Sequence, residues 1–104
     1  HGTSHIGAEA ISSDDFDMAR ARPCGLYGAG IYLAESVSKS DEYVSGGISD
    51  GVEVFPILVC RVCLGNIFYC DERAPHRGRL QDRCLKQQWH SVLGDRKKVS
   101  GTFR

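Results

Sequence analysis

The run Val54-Phe55-Pro56-Ile57-Leu58-Val59-Cys60-Arg61-Val62-Cys63-Leu64 constrains the fold of this 104-residue chain more than any other segment. It is nearly continuously apolar and rich in β-branched residues, which predicts a strand. A strand without polar alternation is covered on both faces, so the run predicts a core strand. Pro56 cannot donate to a ladder, which puts the start of that strand at an edge or bulge. Leu64-Gly65-Asn66 breaks the pattern, and Ile67 to Cys70 and His90 to Leu93 predict two further short strands. Upstream, Ser4 is placed to cap a short helix carrying Ile6, Ala8, Glu9, Ala10 and Ile11. Gly28 and Gly30 bracket a tight turn into a short strand, Ile31 to Leu33. Ser36 or Ser38 caps a helix that ends near Val44 and is stopped by Ser45-Gly46-Gly47. Residues 13–27, 71–88 and 95–102 read as irregular. Short strands with few helices predict an α+β fold with antiparallel sheets. Chain length allows one domain, residues 1–104, and the small strand content predicts further strands beyond both ends.

Composition narrows the class. No apolar run of about 18 residues exists, so no helix is predicted to cross a membrane. Net charge is zero, yet residues 1–70 hold nine carboxylate side chains against four Lys/Arg, and residues 71–104 hold four against nine. A basic half of this kind suits an anionic ligand such as a dinucleotide or a polymer, or simply two solvated faces. The five cysteines, at 24, 60, 63, 70 and 84, form no disulfide framework. Cys60 and Cys63 make a C-x2-C, but residues three apart in a strand point to opposite faces, and no second pair follows. No metal site is predicted.

The chemistry concentrates between residues 28 and 43. Ser40 and Tyr43 are i, i+3 neighbours on one helix face, and Tyr32 lies just before that helix. Two rings and a hydroxyl suit a flat heterocycle carrying an amide, and the glycines at 28 and 30 allow close backbone approach.

His1-Gly2-Thr3, Tyr32 within Tyr27-Gly28-Ala29-Gly30-Ile31-Tyr32-Leu33-Ala34, Ser38-Lys39-Ser40 followed by Tyr43, Cys60-Arg61-Val62-Cys63-Leu64-Gly65, and His90-Ser91-Val92-Leu93-Gly94 together resemble the poly(ADP-ribose) polymerase catalytic domain family. Within that family these motifs resemble the tankyrase-like branch. The matches cover roughly residues 1–94. The resemblance implies an ADP-ribosyltransferase fold of split antiparallel sheets, here incomplete. It implies a reaction in which NAD+ gives its ADP-ribose to a protein or other acceptor and nicotinamide leaves. His1 and Tyr32 are the implied catalytic signature residues. His1, Gly2, Thr3, Asp17, Tyr32, Ala34, Ser40 and Tyr43 are the implied NAD+-binding residues. In these roles Gly2 holds the carboxamide through its backbone, Ser40 adds its hydroxyl, and Tyr43 stacks on the ring. Tyr32 closes the other side, His1 bonds the adenosine ribose with Thr3 nearby, and Ala34 leaves room beside the ring. The loop from about Ser13 to Tyr27 lies over the donor site, and Asp17 reaches the adenine end. NAD+ is the co-substrate, protein acceptors are the partners, and nucleic acid or polymer is reached through further domains. The location implied is intracellular, nuclear or cytoplasmic.

Departures from the family pattern are specific. The donor loop often carries a glycine before its phenylalanine, where this chain has Asp15 before Phe16. Residues 44–53 lack the cysteines and histidine that form the zinc site of tankyrases. The third signature residue, a glutamate in polymerising members, falls beyond Arg104, so the 104 residues read as a partial, inactive domain. Two other readings stand beside the enzyme. One is a module that holds NAD or ADP-ribose without turnover; the other is a small zinc or redox domain using Cys60, Cys63, Cys70 and Cys84. Gly47, in a loop that nothing ties to the donor, is expected to tolerate substitution.

Overall fold

A computed structural model describes residues 1–100, with side chains through Lys98. Its elements are α1 (His5–Asp14), a 3-10 turn (Met18–Arg20), α2 (Val37–Asp41), β1 (Gly47–Ser49), β2 (Val52–Val54), β3 (Ile67–Cys70), α3 (Arg77–Leu85), β4 (Ser91–Gly94) and α4 (Arg96–Ser100). The fold is α+β. The contacts divide it into two units, one of His1–Asp17 with Ile31–Arg61, the other of Met18–Gly30 with the residues from Val62 on.

In the first unit, the Ser4 hydroxyl accepts from the Gly7 N–H (3.0 Å) and starts α1. β1 and β2 form an antiparallel hairpin, Ile48 opposite Glu53, around Asp50-Gly51. Both turn residues have positive φ, 49° and 76°, the geometry of the two-residue turn that matches strand twist and favours Asp-Gly. The predicted 54–64 strand is not formed. Beyond β2 the pairing is confined to an isolated antiparallel bridge of Ile57 with Gly2 and the His1–Leu58 backbone bonds beside it, and Val59 is fully exposed. A ladder needs a partner along its whole length, and among the described residues no backbone–backbone hydrogen bond is made by 59–64. Ile31 to Leu33 likewise forms no strand, and all three side chains are exposed. α2 stops at Asp41, short of Val44, and Ser36 caps it by position only.

The second unit corrects the antiparallel expectation. β3 and β4 pair in parallel, Ile67 opposite Ser91 and Cys70 opposite Gly94. Parallel neighbours require a crossover, and α3 supplies it within the segment 71–88 expected to be irregular. Its cap is the His76 imidazole, whose Nδ1 accepts from the Arg79 N–H at 3.1 Å. Leu80 is buried, and Gln81 and Cys84 are half-buried beside it. α4 is a single turn where a loop was expected, with the Lys98 N–H donating to Asp95 Oδ1 (2.9 Å); residues 101 and 102 of that expectation lie outside the described residues. Buried apolar side chains in the described residues are Cys70 and Leu80.

His90-Ser91 acts as a staple within this unit. The Asn66 N–H donates to His90 Nδ1 (2.9 Å), and the Ser91 hydroxyl donates to the Leu64 carbonyl (2.7 Å). The His90 ring lies where a side chain at Gly65 would stand, and Gly65 has φ +62°. The Tyr27 hydroxyl fills the corresponding space at Gly94. Both glycines are therefore fixed by packing.

Candidate functional site

The eight residues predicted to hold NAD+ all belong to the first unit. Backbone pairing fixes its first strand-like segment. The His1 nitrogen donates to the Leu58 carbonyl (2.9 Å), and the Leu58 N–H donates back to the His1 carbonyl (2.8 Å). In an antiparallel pair such bonds alternate with unbonded positions. Gly2 opposite Ile57 is the unbonded position. Among the described residues no hydrogen bond ends on the Gly2 N–H or C=O, although Gly2 is buried. A buried backbone group without a partner costs about 1–3 kcal/mol, and this one is a donor and an acceptor on a single residue.

Ser40 lies directly against Gly2. A Cβ at residue 2 would collide with the Ser40 carbonyl oxygen and come within 2.8 Å of its carbon and 3.0 Å of Val44 Cγ2. Ser40 is 5 % exposed, and its hydroxyl makes no hydrogen bond among the described residues. The site thus sets Gly2, whose backbone is unpaired among the described residues, against Ser40, whose hydroxyl is unpaired there too. Tyr43 lies past the end of α2, yet its N–H donates to the Ser40 carbonyl (3.1 Å), so the i, i+3 relation survives in a turn. Its ring is exposed, with Lys39 Nζ 5.4 Å from the centroid. Lys39 also donates to Glu42 (2.8 Å), and that bond holds its pKa above the ordinary lysine value.

His1 Nδ1 lies 2.7 Å from the Tyr32 carbonyl oxygen. A carbonyl can only accept, so Nδ1 carries the proton and Nε2 of the neutral ring is left as an acceptor. The two signature residues are therefore joined through the Tyr32 backbone, and the Tyr32 side chain is exposed. The Thr3 carbonyl accepts from the Ser45 N–H (3.3 Å), and its side chain packs on Gly7. Ala34 and Asp17 are exposed.

Two contributors were not read from the sequence. Phe16 meets the His1 ring edge-on, centroids 5.0 Å apart at 89°. Asp15, the residue that replaces a glycine, has φ 72° and ψ 179°, a region that is nearly glycine-only. Its Oδ1 accepts from the Phe16 N–H at 2.7 Å. The glycine conformation is kept, and the aspartate holds it with its own side chain. No group of three or more His, Cys, Asp or Glu is placed to hold a metal among the described residues, and all five cysteines are free thiols.

The family model of the poly(ADP-ribose) polymerase catalytic domain matches residues 1–102. The chain belongs to that family, whose members use NAD+ as co-substrate and are generally ADP-ribosyltransferases. No solved structure matches the chain significantly.

Proposed function

We propose that this chain binds NAD+ through the Gly2–Ser40 site and supplies the donor-binding part of an ADP-ribosyltransferase domain, which moves ADP-ribose from NAD+ to a protein acceptor and releases nicotinamide. The observation that carries the reading is the buried Gly2 backbone, unpaired among the described residues and packed against Ser40, whose hydroxyl is also unpaired there. A primary carboxamide satisfies all three groups. Its NH2 donates to the Gly2 carbonyl, and its oxygen accepts from the Gly2 N–H and the Ser40 hydroxyl. Tyr43 offers its ring face to the heterocycle, and His1 Nε2 offers an acceptor for a ribose hydroxyl.

The charge of this unit supports the same chemistry. It holds nine carboxylates against Lys39 and Arg61. The nicotinamide ring of NAD+ is cationic, and breaking its bond to ribose moves that charge onto an oxocarbenium-like carbon. Surrounding negative potential favours both states. The acceptor nucleophile then attacks the opposite face of the ribose, and binding energy spent on the carboxamide holds the leaving group in place.

The test is titration of the chain with NAD+. The account predicts saturable binding, with Ser40→Ala weakening it by about 1 kcal/mol, the value of one hydrogen bond. Unchanged NAD+ affinity in that variant would remove Ser40 from the site.

A further inference from the structure

The structural division sharpens the charge asymmetry of the sequence. Within the described residues the second unit carries ten Lys/Arg against Asp71, Glu72, Asp82 and Asp95. Part of this charge is internally engaged. Lys98 donates to Asp71 (2.5 Å), Lys86 pairs with Asp82 (2.9 Å), Arg77 Nη1 donates to the Cys24 carbonyl (2.8 Å), and Arg96 Nη1 donates to the Arg73 carbonyl (3.1 Å). Arg79 and Arg83 differ. Both are exposed on α3, and neither guanidinium is paired among the described residues. They stand one turn apart, about 6 Å along the axis. Lys86 extends the same ridge by a further turn.

We propose that this ridge, centred on Arg79 and Arg83, binds the phosphate backbone of a nucleic-acid duplex. Guanidinium forks match phosphate oxygens bidentately, and free cations gain most from releasing the counterions of a polyanion. The aromatic side chains select the duplex over a single strand, which is held by bases stacking on exposed rings. Phe68 and Trp89 pack on each other, centroids 5.3 Å apart. Exposed Tyr69 has its hydroxyl on Asp95 and Lys98 over its ring. Among the described residues the unit therefore offers charge without a stacking platform, which suits a ligand whose bases are already stacked. This proposal is independent of ADP-ribosyl transfer.

The experiment is fluorescence anisotropy of a mixed-sequence, fluorescein-labelled duplex of about 20 base pairs, titrated with the chain between about 50 and 200 mM salt. Wild type should bind without sequence preference. Arg79→Glu with Arg83→Glu should weaken binding at least about tenfold and lower the slope of log K against log salt by about 2, one for each lost phosphate contact. A carboxylate in the first turn of a helix is favourable, so the Arg79 change does not threaten α3, and circular dichroism checks this. Arg79→Gln with Arg83→Gln should give the same direction of change. The charge-matched control, Arg22→Glu with Lys97→Glu, should change affinity less than about twofold. No duplex binding by wild type, equal losses in the α3 and control pairs, or tighter binding of a single strand or an ADP-ribose polymer than of the duplex would each overturn the proposal.

Discussion

The carbonyl oxygen of Ser40 stands where any side chain at Gly2 would have to be. The obstacle is backbone, which cannot rotate away. Gly2→Ala is therefore expected to cost about 1–3 kcal/mol, as overpacking of a tight site does. Gly30→Ala, with nothing within 4 Å of the added methyl, is expected to stay within about 0.5 kcal/mol. Urea denaturation of both variants checks this. Gly47 no longer serves as the tolerant comparison, because it lies in β1 and its Cβ would come 2.5 Å from His5 Cβ.

Asp15 offers a test of backbone strain at the donor loop. Asp15→Gly removes the cost of a positive φ and is expected to be neutral or stabilising. Asp15→Ala keeps the strain and loses the bond to Phe16, and is expected to destabilise by about 1–3 kcal/mol. Thermal melts of the two variants should move in opposite directions or differ by several degrees.

Tyr43 and Tyr69 are both exposed aromatics with a lysine near the ring, yet only Tyr43 belongs to the proposed pocket. Tyr43→Ala is expected to weaken nicotinamide binding by about 1 kcal/mol, the scale of one aromatic stack. Tyr69→Ala should leave it unchanged. Equal affinities in calorimetric titration would displace Tyr43 from the ring-binding role.

Stability should depend on pH through the Asp71–Lys98 and Tyr69–Asp95 pairs. The Lys98 hydrogen bond holds Asp71 below the usual carboxylate range, and the Tyr69 hydroxyl does the same for Asp95. A depressed carboxyl contributes stability above its ordinary pKa and loses it as pH falls, here below about pH 4. Hydrogen bonds to Asp95 and Asp71 raise Tyr69 and Lys98 respectively. Their contribution is present below about pH 10 and is lost as pH rises through the raised values. Chemical denaturation across pH should show Asp71→Asn flattening the acid limb and Tyr69→Phe flattening the alkaline one.

The short-range signals were legible in the sequence. Ser4 as a cap and Ile67 to Cys70 as a strand needed only neighbours a few residues away. The 54–64 strand failed because apolar content says nothing about whether a ladder partner lies alongside. α3 was hidden because histidine is an unusual cap and Leu80 is its only buried side chain. The hairpin around Asp50-Gly51 was not read from the sequence, because its two strands are only three residues each. At the site, the residue types of Gly2, Ser40 and Tyr43 were readable through family resemblance. The unpaired state of the Gly2 backbone was not, because it depends on which positions of the Gly2–Ile57 pairing carry the bonds. Asp15 looked like a departure until its φ showed the glycine conformation retained.

The central claim is that the Gly2 backbone receives a carboxamide, and the most direct measurement is the Gly2 amide signal in a 1H–15N correlation spectrum during titration with nicotinamide. The account predicts a downfield shift and slowed solvent exchange at Gly2, accompanied by Ser40 and Tyr43, with Gly51 and Gly65 unmoved. Saturating nicotinamide that leaves Gly2 unshifted, or that moves only residues outside this set, would contradict it.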